Sequence, residues 1–262
     1  MTRTRCLLAL ALLLSAGSSS FAADRPGVVV LAAASLREAF EAAAPAFTAR
    51  SGMKVTFSFG GSDTLAAQIE QGVPADVFAS ANDVQMQRVA AAKLLASAPR
   101  ALARNHLVVV VPKRGSGAVA RFADLAKPGV RVVLAAATVP VGRYSRTAFG
   151  DLDGRDGFPA GFAALVERNV VSNELDVKAV ATKISLGEGD AGVVYATDVT
   201  PALARDVTTI AFPQAAAVEA IYPIAPLRDA PNAAGARAFI DFILSPTGQA
   251  YLKARGFSSP FG

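Results

Sequence analysis

Short apolar runs alternate with segments of helical periodicity along most of the chain. Residues 28–34 form a continuous apolar run, which is typical of a strand buried on both faces. A serine followed three residues later by a glutamate then predicts a capped helix over 35–49. The pattern repeats with a predicted strand at 54–59 and a predicted helix at 63–71.

The same alternation continues to the end of the chain and predicts an α/β fold. Strands followed by helices imply parallel sheets covered by helices, and such sheets bind ligands where strand carboxyl ends meet helix amino ends. Residues 34–35, 61–62 and 140–142 have that layout. The further predicted strands are 76–79, 106–111, 131–136 and 191–195, and the further predicted helices are 83–92, 143–149, 174–186, 233–244 and 247–255.

The first 22 residues have the pattern of a secretory signal peptide. Arg3 and Arg5 precede a short apolar stretch, and Ser20 and Ala22 form a small-x-small cleavage site. The stretch has about a dozen apolar residues, too few for a membrane span, which needs roughly 20. The sequence therefore predicts cleavage after about Ala22 and export to the periplasm.

Composition removes several classes of function. Cys6 is the only cysteine and lies inside the predicted signal peptide, so the mature chain forms no disulfide and has no thiolate metal ligand. Without Arg3 and Arg5, 24 basic residues face 21 acidic ones, which leaves a mild net charge of +3. No basic run with interleaved aromatic residues occurs, which excludes nucleic acid as an expected partner.

Catalysis has little support in the sequence. His106 is the only histidine, begins an apolar run and is next to no serine motif, and no G-x-S-x-G elbow or phosphate P-loop is present. The acidic segments 151–156 and 188–190 lack the spacing of a calcium loop. We expect a protein that is not an enzyme, with an exported serine hydrolase using Ser35 or Ser62 as a remote alternative.

Anion binding fits the residues better. Ser35 and Ser62 are each predicted at a helix N-cap directly after a strand, where hydroxyls and free N–H groups can bind an anion. Tyr195, at the end of a predicted strand, adds a neutral phenol donor, although a simply packed tyrosine explains that position equally well. Taken singly, each serine is explained by capping alone, worth about 1 kcal/mol. No lysine or arginine occurs in 55–87, so the site is expected to use dipoles without a countercharge.

Four motifs occur in order along the chain: AAASL at 32–36, FGGSDTLAAQIEQGVPADVFASA at 59–81, VPVGRYSRTAF at 139–149 and GVVYATD at 192–198. Together they resemble the periplasmic molybdate-binding proteins of ABC importers. The resemblance covers about residues 27–257 and implies a two-lobed, type II substrate-binding fold. Each lobe is then a mostly parallel sheet flanked by helices, with lobe I at 23–104 and 222–262, lobe II at 105–221, and the ligand in the cleft between them.

The resemblance also implies a function and a ligand set. The protein is expected to bind molybdate or tungstate, to deliver it to a membrane permease and to act as a monomer, with no cofactor and no directly coordinated metal. Another tetrahedral oxyanion such as sulfate or phosphate is the alternative ligand. The matching ligand residues are Ser35, Ser62, Val141, Val177 and Tyr195.

One position departs from the family pattern. The residue after the second serine is usually small, whereas this chain has Asp63. A carboxylate beside a dianion repels it unless the side chain turns outward, and phosphate receptors need such an acceptor for a ligand proton. Asp63 therefore keeps the phosphate alternative open.

Overall fold

The computed structural model describes residues 27–260, so the predicted signal peptide and Cys6 lie outside the described residues. Its strands are β1 Val28–Ala33, β2 Val55–Gly60, β3 Val77–Ala79, β4 Arg100–Pro112, β5 Val132–Ala135, β6 Val170–Glu174, β7 Ala191–Tyr195, β8 Val207–Ala211 and β9 Glu219–Pro226. Its α-helices are α1 Arg37–Ser51, α2 Ser62–Glu70, α3 Asp83–Ala91, α4 Pro140–Asp151, α5 Phe162–Arg168, α6 Val177–Ser185, α7 Ala233–Leu244 and α8 Pro246–Lys253.

The strands form one curled sheet in the order β2-β1-β3-β9-β4-β7-β5-β6, with β8 paired to β4. β1 is parallel to β2 and β3, and β5 is parallel to β6 and β7. The remaining pairs are antiparallel, and each of them includes β4 or β9. We call β1–β3 with β9 the first half of the sheet, and β5–β8 the second half. The parallel strand pairs therefore lie within each half, and the strand pairs that include the connecting strands β4 or β9 are antiparallel.

β4 joins the two halves of the sheet. Its residues 100–106 pair with β9, whereas residues 107–110 pair with β7 and residues 108–112 pair with β8. The strand thus passes from one half to the other between His106 and Leu107. The predicted lobe boundary after residue 104 falls inside this strand.

Aromatic residues fill the core of each half separately. In the first half, the ring of Phe239 makes edge contacts with Phe40 and Phe47 at centroid distances of 5.5 and 5.4 Å. In the second half, Phe162 contacts Phe149 at 6.1 Å and Phe158 at 4.9 Å. Truncating a buried phenylalanine to alanine typically costs about 3–5 kcal/mol, so these ring contacts contribute strongly to the stability of each half.

Two predicted helix caps are wrong. Ser35 lies inside a 3₁₀ turn, Ala34–Leu36, and α1 begins only at Arg37 with no side-chain cap. Ser62 is the first residue of α2, whose N-cap is Gly61. At Ser62 the helix begins one residue earlier than the capping pattern predicts, whereas at Ser35 a 3₁₀ turn precedes the α-helix. Each serine hydroxyl contacts a residue outside its own helix instead.

The prediction for residues 174–186 is partly wrong. Residues 170–174 form the strand β6, which pairs with β5, and α6 begins only at Val177, capped by Asp176. The sequence also gave no prediction for α5, β8 or β9. β9 contains Pro223 and Pro226, and proline is unfavourable in a central strand. The register of the pairing between β9 and β4 is also irregular near Ala101.

Candidate functional site

A small cavity lies between the two halves of the sheet, at the ends of β1 and β2 on one side and β7 on the other. Its volume is about 10 Å³, close to the roughly 10–15 Å³ that one water needs. All five predicted site residues line it. The lining consists of Ala33, Ala34, Ser35, Gly60, Gly61, Ser62, Ala81, Val139, Pro140, Val141, Asp176, Val177 and Tyr195.

Several helix starts converge on the cavity. α2 begins at Ser62, α4 at Pro140 and α6 at Val177, so each directs its first turn towards it. The N–H groups of a first turn have no partner within the helix and carry partial positive charge. Val141 and Val177 thus contribute main-chain donors, and their apolar side chains are buried.

Two glycines permit the close approach of backbone segments at the cavity. A Cβ on Gly61 would lie 2.4 Å from the carbonyl oxygen of Leu175, which belongs to the opposite half. A Cβ on Gly142 would lie 2.2 Å from the carbonyl oxygen of Ala136. Any larger residue at either position would push apart the segments that form the cavity wall.

The two serine hydroxyls are buried, and each has a hydrogen-bond partner within the protein. Ser62 Oγ accepts the Ala81 N–H at 3.0 Å, and Ser35 Oγ lies 2.9 Å from the hydroxyl of Tyr222. Neither contact is to a base. His106 is exposed on β4 and does not line the cavity, so the arrangement offers no nucleophile–base pair.

Tyr195 carries a hydroxyl without a partner. The side chain is 1% exposed, and its OH makes no hydrogen bond within residues 27–260. Burial, and to a smaller extent the neighbouring Tyr222 phenol, raises its pKa well above the ordinary value, so the phenol is neutral and can donate. Asp198 accepts the Tyr195 N–H at 3.2 Å and holds the end of β7 in place. A buried polar group left unpaired costs about 1–3 kcal/mol, which points to a ligand that pairs with it.

The lining has little charge. No lysine or arginine is among the described residues that surround the cavity, and Asp176 is the one acidic residue there. The Asp176 carboxylate accepts the Ala179 N–H at 3.0 Å and so caps α6. The nearest cation in sequence is Lys178, one residue after Val177.

Lys178 is held by two carboxylates. Its ammonium lies 2.7 Å from Glu38, on the opposite half, and 3.0 Å from Asp198. Burial raises the pKa of Asp198 to about 6 although Lys178 opposes the shift. Burial alone would lower the pKa of Lys178, but Asp198 and Glu38 outweigh it and raise that pKa. The sequence patterns gave no sign of this cluster, which forms only when α1 and α6 meet.

Asp63 lies next to the cavity wall without lining it, and its Oδ1 is buried beside Gly61. Its Oδ2 accepts the hydroxyl of Thr138 at 2.6 Å, across the gap between the halves, and the residue does not line the cavity. Gln85 Nε2 donates to the Thr138 carbonyl at 3.1 Å and reinforces the same crossing. Pairing with Thr138 outside the lining is the arrangement under which a carboxylate at this position tolerates a nearby dianion.

Residues 27–260 contain neither a candidate metal site nor a candidate membrane span. No group of three or more His, Cys, Asp or Glu residues in 27–260 is placed to hold a metal ion. No helix in that range is both long and apolar enough to cross a membrane.

Comparisons with known proteins assign the family. The family model for bacterial extracellular solute-binding proteins matches residues 28–258. The molybdate-binding protein ModA of Mycobacterium tuberculosis is 38% identical over 95% of this chain and 93% of its own length. ModA of Escherichia coli is 31% identical over 90% of each chain.

Solved structures agree on the fold. The periplasmic molybdate-binding protein of Azotobacter vinelandii matches with a TM-score of 0.76 at 21% identity, over 89% of this chain and 99% of that one. The substrate-binding domain of a putative molybdenum ABC transporter from Clostridium difficile matches with a TM-score of 0.64 at 27% identity, over 89% and 99%. The two-lobed α/β fold predicted from the motifs is therefore confirmed, and the chain belongs to the bacterial extracellular solute-binding proteins, in the family of the molybdate-binding protein ModA.

Proposed function

We propose that this protein is an exported receptor that binds molybdate or tungstate in the cavity and delivers it to the membrane permease of an ABC importer. The observation that carries the proposal is the unpaired, buried hydroxyl of Tyr195 in a cavity that two serine hydroxyls and three helix starts also line. A fully deprotonated tetrahedral oxyanion offers only acceptors. It is the complementary ligand for such a set of donors.

The state of Ser62 supports the same ligand. Its oxygen already accepts the Ala81 N–H, so its own proton is left to donate. Hydrogen bonds to an ionised acceptor contribute about 1.5–3 kcal/mol, more than those between neutral groups. Ser35, Ser62 and Tyr195 with the first-turn N–H groups at Val141 and Val177 are the donors we assign to the ligand.

The absence of a free cation in the lining is consistent with dipolar binding. Three helix starts supply partial positive charge at the cavity. Ion pairs with Glu38 and Asp198 neutralise the positive charge of Lys178. The bound dianion is then held by hydrogen bonds and helix dipoles, without a buried salt bridge.

Size and protonation narrow the ligand. The cavity of about 10 Å³ is far smaller than pockets for organic ligands, which are roughly 300–1,000 Å³. Phosphate carries a proton near neutral pH and needs an acceptor. Asp63, the residue that kept this alternative open, does not line the cavity, and Asp176, which does line it, already accepts the Ala179 N–H. Sulfate has shorter bonds than molybdate and would leave some donors unmet, at roughly 1–3 kcal/mol each.

Delivery follows from closure of the two lobes. We assign lobe I to 23–104 and 222–262 and lobe II to 105–221, with β4 and β9 as the connecting strands. Asp63 with Thr138 and Glu38 with Lys178 are contacts between the lobes that form on closure. The closed monomer then presents a combined surface to the permease, so that ligand occupancy controls docking. Export depends on cleavage of the predicted signal peptide after about Ala22.

Isothermal titration calorimetry with molybdate, tungstate, sulfate and phosphate tests the proposal. We expect molybdate and tungstate to bind and sulfate and phosphate to bind at least about 100-fold more weakly, a difference of roughly 2.7 kcal/mol. No binding of molybdate, or equal binding of sulfate, would refute it. Ser35→Ala and Ser62→Ala should each weaken binding in a folded protein. Unchanged affinity in both variants would show that the site lies elsewhere.

A further inference from the structure

We propose that Tyr222 and Asn105 are positioning residues that hold the Ser35 hydroxyl as a donor to the ligand, so that this position rejects protonated oxyanions. The inference rests on the proposed function, because it concerns the same cavity. Neither residue lines the cavity, and neither was singled out by the sequence patterns. They act on the ligand only through Ser35.

We call the hydrogen-bonded series Asn105, Tyr222 and Ser35 the relay. It begins at Asn105, whose side chain is buried, with 3% of the residue exposed. Its Oδ1 accepts the His106 N–H at 3.0 Å, and this contact determines which way the amide faces. Its Nδ2 therefore points inwards, where it donates to Thr197 Oγ1 at 2.8 Å and to the Tyr222 hydroxyl at 3.3 Å. An amide nitrogen can only donate.

The direction of each later bond follows from that donor. The Tyr222 oxygen accepts from Asn105, and in the proposed relay its proton goes to Ser35 Oγ, 2.9 Å away, in a contact in which either hydroxyl can donate. Tyr222 is fully buried, and burial raises its pKa well above the ordinary value, so the proton stays on the phenol. Since Ser35 Oγ accepts from Tyr222, the Ser35 proton is free to point into the cavity.

The relay is held rigidly where the two halves of the sheet meet. Asn105 is near the end of the part of β4 that pairs with β9, and Tyr222 lies on β9. The Tyr222 ring packs edge-on against Tyr195 at 5.6 Å and against Phe257 at 5.4 Å. These contacts prevent the phenol from swinging away, so the Ser35 hydroxyl keeps one orientation whatever ligand enters.

The orientation of the Ser35 hydroxyl affects whether a protonated oxyanion can bind. A serine hydroxyl that is free to rotate can either donate or accept, and so tolerates an oxyanion that carries a proton. With Tyr222 donating to its oxygen 2.9 Å away, the Ser35 hydroxyl is directed to present its proton to the ligand. Molybdate satisfies that donor with a lone pair, whereas the protonated oxygen of phosphate would face it with a second proton.

Tyr222→Phe tests the relay, because it removes one oxygen and keeps the ring. Titrations of the full chain with molybdate and with inorganic phosphate should show about tenfold weaker molybdate binding and unchanged or tighter phosphate binding. A merely structural role would weaken both ligands by the same factor. Tyr251→Phe is the matched control, because the Tyr251 hydroxyl lies on α8, away from the cavity lining, and should leave both affinities unchanged.

A double-mutant cycle with Ser35→Ala separates the outcomes. If Tyr222 acts through Ser35, adding Tyr222→Phe to Ser35→Ala should change molybdate affinity by less than twofold. Full additivity, or molybdate affinity within twofold of wild type in Tyr222→Phe, would overturn the relay. If Tyr222→Phe does not fold, Asn105→Ala replaces it with the same expected loss of selectivity. A wild-type protein that fails to bind molybdate refutes the proposed function instead, so the two failures are distinct.

Discussion

Replacing Tyr195 with phenylalanine should weaken ligand binding without destabilising the ligand-free protein. The Tyr195 hydroxyl is buried and makes no hydrogen bond in the part of the chain that the structure describes. Removing it deletes no protein–protein hydrogen bond and keeps the ring contact with Tyr222. The substitution should therefore weaken ligand binding while the ligand-free protein stays as stable or becomes more stable, which is unusual for a change at a buried position.

The magnitudes follow from the hydrogen bond that the ligand supplies. A bond from a neutral donor to a charged acceptor is worth about 1.5–3 kcal/mol, so molybdate affinity should fall about tenfold to 150-fold. An unpaired buried hydroxyl costs about 1–3 kcal/mol, and opening of the empty cleft hydrates it and reduces this cost. We therefore expect the ligand-free Tm of Tyr195→Phe to be unchanged or higher by about 2–4 °C, which corresponds to up to about 1 kcal/mol.

Two measurements check this prediction. Calorimetric titration gives the molybdate affinity, and differential scanning calorimetry gives Tm with and without molybdate. The rise in Tm on adding molybdate should shrink, because stabilisation by a ligand depends on its concentration relative to Kd. Tyr251→Phe serves as the control. A drop of more than about 2 °C in the ligand-free Tm, or an affinity within twofold of wild type, would refute the reasoning.

Three further changes test other parts of the structure. Glu38→Gln removes the charge that pairs with Lys178 across the cleft, so it should weaken molybdate binding about fivefold at low salt and less at high salt. Glu41→Gln is the control and should leave the molybdate affinity unchanged in the same titrations. Gly142→Ala should lower the unfolding free energy in urea by about 3 kcal/mol, because its Cβ would overlap two carbonyl oxygens, whereas Gly150→Ala in the same helix has open space and should not destabilise. Burial would raise the pKa of Asp124, but hydrogen bonds from neighbouring N–H and cationic groups outweigh it and lower that pKa to about 2. The carboxylate therefore stabilises the fold fully above its unfolded pKa of about 4 and loses this effect as pH falls through 2. Asp124→Asn should cost on the order of 2 kcal/mol in urea melts at pH 7 and about half as much at pH 3.

Elements with a single strong local signal were predictable from the sequence. Ala191–Tyr195 and Ala233–Leu244 have the predicted bounds, because an apolar run or a helical period specifies each without help from neighbours. Val170–Glu174 and Glu219–Pro226 were missed, since their pairing partners lie far away in the chain. β9 also contains prolines, which local propensity counts against a strand.

The sequence also predicted which residues surround the cavity, although not their geometry. Ser35, Ser62, Val141, Val177 and Tyr195 were identified by motif resemblance, and the structure places all five around one cavity. Their role as ligand contacts remains a prediction for titration to test. The capping geometry assigned to the two serines was wrong, because local patterns cannot reveal a competing partner elsewhere in the fold.

By itself, the sequence determined the family, the α/β alternation and the cation-poor character of the site, because these depend on residue types and on short spacings along the chain. Only the tertiary structure decided which group each serine hydroxyl contacts, what Asp63 bonds to and what neutralises Lys178. Those outcomes depend on contacts between residues far apart in sequence, such as Ser35 with Tyr222, 187 positions away, and Lys178 with Glu38, 140 positions away. A hydrogen bond has a direction only when both partners are in place, and folding is what brings them together.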